Sequence, residues 1–152
     1  MADELDALED WAGPVLRALE PAQRKALAAD LARRLRRSQQ QRIATQKNPD
    51  GTAYVPRKPR QLRGKVGRIK RRADMFRKLR TARYLKAKGD AQAITLSFAG
   101  RISRIARVHQ YGLKDRPAPG APDTRYPERK LFGFTDADLE LIRDGLLEHV
   151  TL

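Results

Sequence analysis

The chain has no cysteine among its 152 residues. That excludes disulfides, zinc–thiolate centres and thiol catalysis, and leaves the redox compartment open. Histidine is scarce, with only His109 and His149. Aromatic residues make up 6% of the chain, so the core must be aliphatic and modest in size. No apolar run approaches the ~18 residues of a membrane span. The N-terminal stretch "MADELDALED" is acidic and amphipathic, unlike the basic and then apolar layout of a signal peptide. The expectation is a soluble chain made in the cytoplasm, with no membrane partner and with residues 1–152 forming one domain.

Charge is abundant, and its distribution says more than its net value of +15. Residues 1–20 carry six acids against Arg17, whereas residues 21–47 carry eight bases against Asp30. Residues 55–86 hold fourteen bases against Asp74, and from 136 onward five acids oppose Arg143. The chain is acidic at both ends and basic in the middle. Such polarity suits a nucleic acid, an acidic protein surface, or a neighbouring copy of the same chain.

Periodicity outlines the elements. Leu5, Leu8, Trp11, Val15, Leu16 and Leu19 recur at steps of three and four, predicting an acidic amphipathic helix over 1–20 that Pro14 bends or splits near Gly13. A second helix over about 21–46 starts at Pro21, aligns Leu27, Leu31 and Leu35, and turns Arg33, Arg34, Arg36 and Arg37 to its polar faces. "NPDG" at 48–51 is a turn. Residues 47–72 then read as an extended basic arm, too polar and too rich in turn-formers to order alone. Met75, Phe76 and Leu79 fit one side of a short helix, while Tyr84 and Leu85 lead into a strand.

Further on, "AQAITLSFAG" alternates as a half-buried strand that Gly89-Asp90 joins to residues 82–88 in a hairpin. Ile102, Ile105, Ala106 and His109 have helical spacing, ended by Gly112. A loop with four prolines spans 113–127, and "ERKLFGF" reads as a short strand. Thr135 and Asp138 form a capping pair for a last helix whose stripe is Leu139, Ile142, Leu146 and Val150. The fold class is therefore α+β, with N-terminal helices, a small antiparallel sheet beside the basic extended arm, and a C-terminal helix.

The stretch "VHQYGLKDRPAPG" at 108–120 looks as if it should do chemistry. His109, however, shares a stripe with Ile102 and has no serine motif such as G-x-S-x-G to serve. Asp136 and Asp138 mark a helix start, not a ligand set. "RGKVGR" lacks the strand and helix that frame a phosphate loop. No catalytic, cofactor-binding or metal-binding residues are assigned, and His109 is expected to pack and hydrogen-bond at a structural corner. The basic segment is the serious signal. Arg57, Lys58, Arg60, Arg63, Lys65 and Arg68 are candidate interface residues, facing protein or nucleic acid. Phe76 and Tyr84 are too few aromatics for a single-strand stacking platform.

A leucine/arginine-rich helix, then "RRSQQQRIATQKNPDGTAYVPRK", "MFRKLRTARYLK", "RIARVHQYGL" and "YPERKLFGFTDADLELI", follow in this order. Together they resemble the phage virion morphogenesis, or tail completion, family of temperate contractile-tailed bacteriophages and related prophages. The resemblance runs from about residue 15 to 150. It implies a non-enzymatic virion component, assembled in the host bacterial cytoplasm, at the head-proximal end of the tail. It also implies a ring, commonly hexameric, that meets tail tube and sheath proteins and the neck and head-completion proteins, with DNA passing through its channel. His109, Tyr111, Gly112, Tyr126, Pro127, Arg129, Phe132 and Gly133 carry over as framework residues only. A basic DNA-binding accessory protein of phage assembly is the alternative.

Overall fold

In the computed structural model, which describes residues 2–58 and 74–150, the elements run α1 (Ala2–Ala18), α2 (Pro21–Ala44), β1 (Leu85–Gly89), β2 (Ile94–Phe98), α3 (Ile102–Tyr111), β3 (Lys114–Asp115), β4 (Thr124–Arg125) and α4 (Asp136–Val150). The architecture is α+β, as expected. β1 and β2 form one two-stranded antiparallel sheet and β3 and β4 another.

The second helix is the spine. It starts where Pro21 supplies a preset φ and the backbone N–H of Glu20 donates to Gln23 Oε1 at 2.9 Å. One flank carries Leu27 and Leu31, which pack with Ala12 of α1 and Leu146 of α4; Leu16, Leu19, Ile94 and Ile142 close in around them. The far end carries Ile43 into a second cluster with Tyr54, Met75, Phe76, Leu79, Ala106 and Leu131. One long amphipathic helix thus serves two small cores, consistent with the modest aliphatic interior expected.

The first helix runs unbroken through Pro14, and the chain turns instead at Leu19–Glu20. Proline removes one N–H donor, but the carbonyl it leaves belongs to exposed Asp10, where water can serve it. Ala12 before the proline and Leu16 after it both pack into the same cluster. Tertiary contact on both sides outweighs the local defect.

The hairpin lies on α2. Leu85 pairs with Phe98, Ala87 with Leu96 and Gly89 with Ile94, so one face carries every apolar side chain and the other carries Lys86, Lys88, Thr95 and Ser97. Its turn is closed by Asp90, whose Oδ1 accepts from the backbone N–H of Gln92 at 2.9 Å and of Ala93 at 2.8 Å. The strand starts at Leu85 rather than 82, because residues 75–84 form successive turns. Met75, Phe76 and Leu79 are buried there as foreseen, but on turns, with Phe76 at φ +67 instead of in a short helix.

Three further expectations need correction. Residues 128–134 form no strand; the N–H groups of Lys130, Leu131 and Phe132 are taken by side chains described below. Ile105 is 44% exposed and Val150 48% exposed. Ile102, Ala106 and His109 face the second cluster, leaving Ile105 to one side, and Val150 lies one turn beyond the buried Leu146. Gly112 ends α3 in the left-handed region at φ 62 and ψ 47, and the N–H of Leu113 returns to the carbonyl of Val108 at 2.9 Å. The Thr135–Asp138 pair is reciprocal: Asp138 N–H donates to Thr135 Oγ1 at 3.1 Å and Thr135 N–H to Asp138 Oδ2 at 2.9 Å.

Gly89 is where strand and helix approach most closely. A Cβ at this position would overlap the backbone of Ala28 and Ala29, which cannot swing aside as a side chain could. Gly89→Ala is therefore expected to lower stability by about 2–3 kcal/mol through overpacking, read as a shift in the urea midpoint at unchanged slope.

Candidate functional site at the root of the basic segment

The carboxyl end of α3, the chain around Tyr54 and the stretch 126–133 meet over the second core cluster. Arg129 joins them. It is 3% exposed, and no carboxylate among the described residues pairs with it. Its Nε donates to the carbonyl of Val55 at 2.7 Å and its Nη2 to that of Pro56 at 3.2 Å. Nη1 lies 3.2 Å from His109 Nδ1, while its own backbone N–H donates to the carbonyl of His109 at 2.7 Å. A guanidinium spreads its charge over a planar fork of donors, so it can satisfy several fixed carbonyls at once.

His109 is boxed in. Its ring meets Phe76 edge-on at 4.9 Å and Tyr126 edge-on at 5.1 Å. Since arginine can only donate, His109 Nδ1 must accept, which makes the ring the neutral Nε2–H tautomer. Burial first, then the positive charges of Arg129 and Arg57, push its pKa down from 6.5 to about 4. Burial and Arg57 also lower that of Arg129. A histidine that is neutral near pH 7, with Nδ1 occupied, is held for packing and hydrogen bonding.

The opposite end of the basic segment is fastened too. The side-chain amide of Gln46 accepts from Met75 N–H at 2.8 Å and donates to Met75 carbonyl at 3.0 Å, replacing a strand partner. Tyr54 and Phe76 then meet edge-on at 5.6 Å. Arg129 thus holds Val55 and Pro56, Gln46 holds Met75, and the Tyr54–Phe76 contact brings these two stretches together. Arg57 and Lys58 are exposed; Arg60, Arg63, Lys65 and Arg68 lie outside the described residues.

Polar side chains also hold the stretch that looked like a strand. Gln110 Oε1 accepts from Leu131 N–H at 2.8 Å and Phe132 N–H at 2.9 Å, and Asn48 Oδ1 accepts from Lys130 N–H at 2.9 Å. Arg42 donates to the carbonyls of Lys130 at 3.0 Å and Leu131 at 2.6 Å, and Tyr54 Oη donates to that of Lys130 at 2.9 Å. Phe132 stacks on Phe98 at 4.6 Å, and Gly133 sits so close to the Pro49 ring that a Cβ would overlap it. Behind this, the fully buried Asp138 accepts from the Ser38 hydroxyl and from Gln39 Nε2.

The framework residues His109, Arg129, Phe132 and Gly133 are thus brought together. Tyr111, by contrast, is 65% exposed; with Gly112, Tyr126 and Pro127 it lines a shallow open cleft. Gln39, Arg42, Gln46, Asn48 and Gln110 were not foreseen in these contacts, and Asp138 only as a helix cap. One signal was available for Gln39, a lone amide on the α2 stripe of Leu31, Leu35 and Ile43. Among the described residues no group of three His, Asp or Glu is placed to hold a metal. The arrangement fixes backbone.

The family model for phage virion morphogenesis proteins matches residues 3–151. The chain belongs to that family. It is also 40% identical, over 149 residues, to the tail completion protein S of Escherichia phage P2, a match spanning 97% of this chain and 98% of that one. No solved structure matches.

Two measurements probe it. Arg129→Leu leaves two carbonyls and His109 Nδ1 without their donor, an expected loss of about 3 kcal/mol in urea unfolding, with Arg129→Lys between it and the wild type. Below pH 6.5 the unfolded chain takes up a proton at His109 that the folded chain refuses until about pH 4. The stabilisation is full above 6.5 and drains as pH falls towards 4. Over that window the wild type should lose about 1–2 kcal/mol more than His109→Gln, allowing for partial solvent screening.

Proposed function

We propose that this protein completes the phage tail as a non-enzymatic structural component of the virion, at the head-proximal end where tail and head join. The observation that carries this reading is the end-to-end match to a tail completion protein. The site supports it, since its side chains hold backbone and none is placed for turnover. Copies of the chain form a ring, hexameric to match the tail tube, that meets tube and sheath on one side and neck and head-completion proteins on the other. The basic segment that starts at Arg57 reaches the adjacent subunit or the tube.

A second reading, a DNA-binding accessory protein of assembly, draws on the fourteen bases between residues 55 and 86. Basic side chains release counterions from any duplex, so only tight binding at moderate salt favours it.

Immunogold labelling of nuclease-treated particles, viewed by negative-stain microscopy, tests the main reading. Label confined to the head-proximal end of tails is expected; absence from every particle overturns it. Replacing Arg57, Lys58, Arg60 and Arg63 by glutamate should abolish incorporation into tails while leaving the folded chain intact by circular dichroism. Normal tail completion by that variant would exclude the segment from the interface.

A further inference from the structure

Two helices present faces that nothing else in the described chain covers, and their charges are opposite. On α1, Asp3, Asp6 and Asp10 fall at steps of three and four on its outer side. None of the helix's carboxylates has an ion-pair partner among the described residues. Trp11, 39% exposed, stands beside them. On α3, Arg101, Arg104 and Arg107 fall at steps of three and are all exposed, with Ile105 next to them, also exposed at 44%. Arg104 pairs with Asp115, yet its side chain remains 75% exposed; Arg101 and Arg107 have no ion-pair partner among the described residues.

We propose that copies of this chain associate head to tail, the acidic outer face of α1 in one copy seating on the arginine face of α3 in the next. This rests on the ring reading above and assigns its contact surfaces. At a 1.5 Å rise per residue the carboxylate row spans about 10 Å and the guanidinium row about 9 Å, so the two rows match in length. Within one chain the faces do not meet, because α1 packs with α2 and α4 while α3 packs against β2 and the second core cluster. A contact between different patches of the same molecule is heterologous, the kind that closes into a ring. Aligned opposite charges set orientation and encounter rate, and Trp11 and Ile105 add the apolar contact that charge pairs at a wet interface lack.

The experiment uses the full chain, with sedimentation equilibrium in solution and the number of copies per purified tail as paired readouts. One variant carries Asp3→Lys, Asp6→Lys and Asp10→Lys; another carries Arg101→Glu, Arg104→Glu and Arg107→Glu; a third carries all six. Every position is on the surface, and circular dichroism checks that each variant folds. Each triple variant should weaken self-association at least tenfold and be lost from tails. The six-fold variant, and a mixture of the two triples, should recover association. If the triple variants associate and enter tails like the wild type, these surfaces are wrong while the ring reading stands. A single copy per tail for the wild type would overturn both.

Discussion

The buried guanidinium of Arg129 is the contact on which the surrounding structure depends. Its donors reach Val55, Pro56 and His109 at once, tying three distant parts of the chain through one side chain. A buried charge with no carboxylate partner is costly unless its donors are met, and here backbone carbonyls and an imidazole meet them. Burial first, and then the same charge with that of Arg57, keeps His109 neutral as its ring sits between Phe76 and Tyr126. Remove the fork, and the ring, the departing chain and the stretch after Tyr126 lose their common anchor.

Two elements set the frame for that anchor. The α2 spine positions Arg42 on its last turn and Gln46 just beyond its end, and Gly89 lets the hairpin lie directly on its backbone. Gln110 and Asn48 then do for residues 130–132 what a neighbouring strand would do in a sheet. Side-chain amides carry both a donor and an acceptor, so they can cap a chain that has no ladder partner. The result is a stiff seat holding both ends of a strongly basic segment at neighbouring points.

The charge pattern has a matching logic. Acids concentrate on α1 and α4, and bases on α2, on the segment after residue 55 and on α3. The ion pairs seen among the described residues are largely local or exposed, the kind that contribute little to stability.

Much of this was fixed by local pattern. Helical spacing located α2 and α3, alternation located β2, Gly112 marked the end of α3, and Thr135 with Asp138 marked the start of α4, because each depends on neighbours within a few residues. The family, too, was legible from short motifs in order. The rest depended on contacts between residues far apart in sequence. Pro14 stays helical because Ala12 and Leu16 are packed by other elements; residues 128–134 are no strand because Gln110, Asn48 and Arg42 reach them first; Met75 is held by Gln46 from 29 positions away. Spacing along a chain encodes which face a side chain takes, whereas which polar groups meet across the fold is decided only when the elements pack and every buried donor must find an acceptor.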